Sequence, residues 1–398
     1  MKRYYFDYAA TTPVDSRVVK AMTPYYSEIF GNPGSIHKFG QEASAAIFKS
    51  RNKISKLINC DYREIIFTGS ATEANNLAIK GVIENLKLKN KNFKPRIITS
   101  QIEHESVLEV CRELVKESLA EVIYLPVSKE GIVDLKKLKE SLNERTVLVS
   151  IMYANNEMGS IQPIKEISEI IKEFKIKNLK LKIDEKFPIF HSDAAQAFNY
   201  LDCDTKNLGV DMLTLSSQKI YGPKGVGLLY VKNFGSFAGE KFISPIIIGG
   251  GQEEGLRSGT ENVSGIVGFS EAAQISFDLR QKESQRLLKL QNYFFKKLKT
   301  FKKAEFVLNG PKICMDRLPN NINIYFKNKK DLIFKLDMAG FAVSGGSACS
   351  ARLARPSHVL KAMGCSSEKA SESIRISFGR QTKKSDVDKF LRVVKNII

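Results

Sequence analysis

From about residue 60 to residue 230, short apolar, β-rich runs alternate with helical stretches, and that alternation predicts a mainly parallel sheet wrapped by helices. Glu64-Ile-Ile-Phe-Thr68 has the pattern of a strand; it runs into Gly69-Ser-Ala-Thr-Glu73 and then the helical Ala74-Asn-Asn-Leu-Ala-Ile-Lys80. Arg96-Ile-Ile-Thr-Ser100 repeats the plan, with Glu103-His-Glu-Ser106 opening a helix. Val122-Ile-Tyr-Leu-Pro126, Thr146-Val-Leu-Val-Ser-Ile151, Ile189-Phe-His-Ser192 and Asp211-Met-Leu-Thr-Leu215 supply further strands. Residues 172 to 190 are Lys-rich and are expected to be an irregular excursion before the strand at Ile189.

A long helical pattern from about Val263 to Phe301 follows the sheet. Beyond it, Ala304-Glu-Phe-Val-Leu308, Asn321-Ile-Asn-Ile-Tyr-Phe326, the helical Asp331-Leu-Ile-Phe-Lys-Leu-Asp337 and Ser373-Ile-Arg-Ile-Ser377 predict a smaller α+β domain. A chain of 398 residues exceeds the usual limit of one core, which agrees with two domains. The expected division gives residues 16–262 to the large domain, and residues 1–15 with 263–398 to the small one.

Composition narrows the classes. No apolar run approaches the ~18 residues of a membrane span, and no charged leader followed by an apolar stretch comes after Met1-Lys2-Arg3. The expectation is a soluble, cytoplasmic chain. Its six cysteines, at 60, 111, 203, 314, 349 and 365, form no C-x-x-C pair, which argues against a disulfide framework and a zinc ribbon. The net charge of +19 raises the question of a nucleic-acid partner. The lysines, however, are spread through amphipathic segments with few arginines among them, so no primary nucleic-acid role is expected.

In a parallel sheet, ligands bind outside the carboxyl ends of the strands. There Ser216-Ser-Gln-Lys-Ile-Tyr-Gly-Pro-Lys-Gly225 holds Lys219 in a turn rich in hydroxyls and glycine. Lys219 is either one surface lysine among many or a Schiff-base lysine for a carbonyl cofactor, most often pyridoxal phosphate. Such a cofactor needs a carboxylate for its ring nitrogen, and Asp193 stands just past a strand, where it could equally be a helix cap. It needs donors for its phosphate, and Gly69-Ser-Ala-Thr72 lies between strand and helix. His104 could stack on a flat ring or simply cap its helix.

The ordered motifs now on the page resemble one family. Phe6-Asp-Tyr-Ala-Ala-Thr-Thr-Pro13, Gly31-Asn-Pro-Gly-Ser35, Gly69-Ser-Ala-Thr-Glu-Ala-Asn-Asn76, Asn155-Asn-Glu-Met-Gly159, His191-Ser-Asp-Ala-Ala-Gln196, Lys219-Ile-Tyr-Gly-Pro-Lys-Gly225, Gly249-Gly-Gly-Gln252, Leu256-Arg-Ser-Gly-Thr-Glu-Asn262 and Gly346-Ser-Ala-Cys349 are similar to those of the cysteine desulfurases of the class V aminotransferase group. The likeness runs from Tyr5 to about Val393. It implies an α/β, fold-type I pyridoxal phosphate-dependent transferase with a mainly parallel seven-stranded sheet.

The resemblance also implies roles. Lys219 would hold pyridoxal 5'-phosphate, Asp193 would pair with its ring nitrogen, Gln196 would hydrogen-bond its ring oxygen, and His104 would stack on the ring and act in proton transfer. Ala71, Thr72, Ser216 and Gln218 would meet the phosphate, with Thr260 arriving from the second subunit of a homodimer. Asn155 would touch the cofactor and, with Arg375, the substrate carboxylate. Cys349, on a flexible loop, would take the sulfur of L-cysteine as a persulfide, leaving L-alanine. A sulfur-acceptor protein, serving iron–sulfur cluster assembly or tRNA thiolation, would follow.

The chain departs from the pattern in three places. Gln218 stands where most relatives carry histidine, the Lys-rich segment at 172–188 is longer than usual, and the chain stops soon after its last helix, which puts docking to an iron–sulfur scaffold in doubt. A selenocysteine lyase, another lyase of the same fold, and a silent binding protein are the rival readings; intact Lys219, Asp193, His104 and Cys349 weigh against the last.

Overall fold

The structure is a computed structural model that describes residues 2–89, 93–179, 186–234, 242–301, 305–312, 316–329, 331–345 and 356–397. After the short β1 (Tyr4–Tyr5), seven strands form the main sheet: β2 (Ile65–Thr68), β3 (Arg96–Ser100), β4 (Glu121–Leu125), β5 (Thr146–Ser150), β6 (Ile189–Asp193), β7 (Met212–Ser216) and β8 (Gly227–Val231). Their order is β2-β8-β7-β6-β5-β3-β4. Strands β4, β3, β5, β6 and β7 pair in parallel, while β8 is antiparallel to both β7 and β2.

The cause is visible in the side chains. Strands β5, β6, β7 and β8 are buried along their whole length, as expected of strands covered on both faces. Helices such as Lys38–Leu57, Ala71–Lys89 and Glu105–Lys116 supply that cover. Among the described residues, no helix is long and apolar enough to cross a membrane.

Two details differ from the sequence reading. Residues 172–179 are not irregular: they complete the helix Ile164–Leu179. Buried Ile164, Ile167, Ile170 and Ile171 bind one face of that helix to the core, while Lys172 and Lys177 are exposed. The strand β8 was hidden in the sequence because its apolar run follows directly on the glycine-rich turn after Lys219.

The second sheet takes β9 (Phe306–Leu308), β10 (Asn321–Phe326), β12 (Ser344–Gly345) and β13 (Ser373–Ser377) in the order β12-β13-β10-β9, and β11 (Phe341–Ala342) pairs with β1 in parallel. Phe6, Phe294, Phe326, Phe341, Phe378 and Phe390 fill its core. The 36-residue helix Val263–Leu298 joins the two layers. Ile266, Phe269, Ala272 and Ala273 pack into the core of the main sheet, whereas Leu287, Leu290, Phe294 and Leu298 pack into the second.

Candidate active site

Because the strands share a direction, their carboxyl ends deliver several side chains to one edge. There a cavity of roughly 210 Å³ is lined by Ala9, Ala10, Ser70, Ala71, Thr72, His104, Ser106, Met152, Ala154, Asn156, Asp193, Ala195, Gln196, Ser216, Gln218, Lys219 and Arg375.

Lys219 closes the short 3-10 turn Ser217–Lys219 that follows β7. Its carbonyl accepts from the Asn199 side chain at 2.7 Å, and its amine donates to the carbonyls of Ala9 at 2.9 Å and Ala10 at 2.5 Å. Gln196 donates to the same Ala9 carbonyl at 2.8 Å. The N-terminal segment is in turn stitched to the lysine turn: the Thr12 hydroxyl donates to the Gln218 carbonyl at 2.9 Å and accepts from the Tyr221 N–H at 2.8 Å.

Asp193 ends β6, where its carboxylate accepts from the Ala195 N–H at 2.9 Å and from the Asn75 amide at 2.7 Å. It closes a local turn, rather than capping a helix, and lines the cavity at once. His104 does both: it N-caps the helix Glu105–Lys116 by accepting from the Ser106 N–H while lining the cavity. Burial lowers the His104 pKa and the nearby Lys219 adds to that, with Asp193 opposing. The ring is therefore held toward its neutral form.

The helix Ala71–Lys89 points its N-terminus at this cavity through Ser70, Ala71 and Thr72, leaving main-chain donors and a positive dipole end toward an anion. Gly227 makes the approach possible. A Cβ there would lie 2.6 Å from the carbonyl carbon of Ser70 and 2.8 Å from the Ala71 nitrogen. Glu73 braces the turn by accepting from the Gly69 N–H at 2.9 Å and pairing with Arg257 at 2.8 Å.

Arg375 enters from β13, only 1% exposed. Its guanidinium pairs with Asp7 at 2.7 Å and donates to the Asn156 carbonyl at 3.1 Å, while Nε has no partner among the described residues. Asn155 stands apart from the other expected residues. It is fully buried but does not line the cavity: its amide nitrogen donates to the Ile102 carbonyl, and its oxygen accepts from the N–H groups of Glu157 and Met158. Its neighbour Asn156 lines the cavity instead. Thr260 is exposed and outside the lining of this chain's cavity. Cys349 lies outside the described residues.

The cavity therefore brings together Ala71, Thr72, His104, Asp193, Gln196, Ser216, Gln218, Lys219 and Arg375. Sequence reasoning missed Asp7, Ala9, Ala10, Asn75, Ser106 and Asn156. Most of them sit inside motifs already quoted, so the signal was the motif rather than the chemistry of each residue.

A lysine in a turn, a carboxylate at the neighbouring strand end and a helix N-terminus thus meet over one cavity. The class V aminotransferase family model matches residues 4–390, and the chain belongs to that family. Within it the chain is similar to the cysteine desulfurases. A cysteine desulfurase IscS of Dictyoglomus turgidum is 45% identical, covering 100% of this chain and 95% of the relative. A solved NifS-like protein is 36% identical with a TM-score of 0.86, covering 99% of each chain. A second solved structure, SspA in complex with cysteine, is 35% identical with a TM-score of 0.76, covering 94% of this chain and 98% of that one.

Proposed function

We propose that this chain is a pyridoxal phosphate enzyme that takes sulfur from L-cysteine, releasing L-alanine and leaving a persulfide on Cys349. The observation that carries the reading is the meeting of Lys219, Asp193 and His104 in one cavity under the N-terminus of the helix Ala71–Lys89. The donor set fits the cofactor: an amine for its aldehyde, a carboxylate for its ring nitrogen, and main-chain donors with the Ser216 hydroxyl and Gln218 amide for its phosphate. Gly227 keeps the cradle for that phosphate open. When bound, the protonated ring spreads the negative charge that forms at the substrate Cα as its proton leaves.

The chain's own groups do the rest. The Lys219 amine would take the Cα proton, and the carbonyls of Ala9 and Ala10 hold it at the cavity wall. Arg375 receives the substrate carboxylate, with Asp7 fixing its orientation. Gln218 offers the phosphate a neutral donor where a histidine could offer charge. Thr260, from a second subunit, completes the phosphate site, and Asn155 shapes the loop that presents Asn156. A solved relative that carries cysteine supports the choice of substrate. The persulfide is handed on to an acceptor protein of iron–sulfur cluster assembly or tRNA thiolation.

The test measures alanine and, with a thiol reductant present to release sulfide from the persulfide, sulfide from L-cysteine in the wild type, Lys219→Ala and Cys349→Ser. Turnover is expected in the wild type alone, and borohydride should fix the cofactor covalently to Lys219. Full sulfide release by Cys349→Ser would overturn the assigned sulfur acceptor.

A further inference from the structure

One ring nitrogen of His104 is pinned twice by a single neighbour. The Ser106 backbone N–H donates to Nδ1 at 3.1 Å, and the Ser106 hydroxyl lies 2.9 Å from the same atom. An amide N–H aimed at Nδ1 is satisfied only when that atom keeps its lone pair, which favours an unprotonated Nδ1. With Nδ1 as acceptor the hydroxyl meets it as a donor, sharing the lone pair with the amide in a three-centre bond, and it receives the Asn75 amide at 2.8 Å on its own lone pair. The direction of that amide is fixed in turn. The same Asn75 nitrogen faces a carboxylate oxygen of Asp193 at 2.7 Å, and an ionised carboxylate only accepts. Asn75 is fully buried and Ser106 nearly so, so little water competes for these bonds.

We propose that Ser106, oriented by Asn75, is a positioning residue that keeps the His104 proton on Nε2, so that the imidazole presents a donor, and no acceptor, to the cavity. The inference rests on the desulfurase reading for its chemical meaning: the atom such a donor meets is the cysteine sulfur in its anionic form. His104 then steadies a thiolate or protonates sulfur, and the proton of an incoming thiol has to leave by another route. The charged and titratable groups around the ring are Asp193 from β6, Lys219 from the turn after β7, Glu105 from its own helix and His358 from the helix His358–Ala362.

The chain contains four histidines, so isotope-labelled histidine and two-bond proton–nitrogen correlation spectra can separate the rings, with His104→Gln identifying one by its loss. In the wild type, with and without cofactor, His104 is expected to show an unprotonated Nδ1 and a protonated Nε2 from about pH 6 to about pH 8. In Ser106→Ala the backbone N–H remains but the shorter hydroxyl contact is gone, so the share of the Nδ1-protonated form should rise and kcat for alanine formation should fall, by up to about tenfold, the weight of one buried hydrogen bond, with KM for cysteine unchanged. Ser106→Thr, which keeps the hydroxyl, should restore both. A proton on Nδ1 in the wild type overturns the proposal, as does a wild-type kcat in Ser106→Ala. The spectra need no substrate, so a wild type that failed to turn over cysteine would count against the desulfurase reading and leave the tautomer to be decided on its own.

Discussion

Glu103 shows what the surroundings of the cavity do to a single residue. Its carboxyl accepts from the Ser100 hydroxyl at 2.6 Å and from the Met152 N–H at 3.0 Å, and burial pushes its pKa up to about 8. A carboxyl raised in the folded state favours folding when protonated, so its contribution is fully present below the unfolded value and is lost as pH rises through about 8. Denaturant midpoints of the wild type should therefore fall between about pH 5 and about pH 9, and Glu103→Gln should flatten that slope. Asp7→Ala leaves the buried Arg375 guanidinium without its counter-charge. A loss of about 3 kcal/mol in urea unfolding is expected, together with a raised KM for cysteine. Of these residues, Lys219, Asp193, His104 and Arg375 were legible because chemistry or motif singled them out. Glu103 was not, because a glutamate at a helix start is ordinarily solvated, whereas here it is fully buried and held by the Ser100 hydroxyl and the Met152 N–H.

At the scale of elements, the turn between β2 and the helix Ala71–Lys89 depends on the strand beside it. Gly227→Ala puts a methyl group within 2.6 Å of main-chain atoms that cannot swing away as a side chain could. Affinity for pyridoxal phosphate should fall at least about tenfold in an absorbance titration, while the far-ultraviolet circular dichroism stays that of the wild type. The parallel strands could be read from the sequence because burial on both faces writes them as unbroken apolar runs. The helix Ile164–Leu179 could not be read to its end, since lysines along its solvent face masked the isoleucines along the other. Ser106 meets His104 within the local cap, but nothing in the local pattern of Asn75 tied it to either; that link exists only after the helix Ala71–Lys89 packs against Glu105–Lys116.

At the scale of the whole molecule, the two cores share the helix Val263–Leu298, which spans about 54 Å at 1.5 Å per residue. Buried Arg317 adds a second tie, donating to the carbonyls of Met158 on one side and Pro311 on the other. Urea unfolding followed by circular dichroism and by cofactor absorbance should accordingly give one coincident transition; separated midpoints would show that the shared helix does not couple the layers. The N-terminal segment belongs to the same whole. Tyr4 and Phe6 donate to the carbonyls of Gly340 and Ala342, and Ala9 donates to the Ser377 hydroxyl. A ribosome adding about 5–20 residues per second needs roughly 20–75 s to travel from one set of partners to the other. Through that interval the first strand to leave the exit tunnel has no partner strand, and the carbonyls of Ala9 and Ala10 have only Gln196 and the lysine turn to hold them. Translation thus supplies the lysine and its carbonyl partners well before Arg375, and the cavity is complete only as the last strand is made.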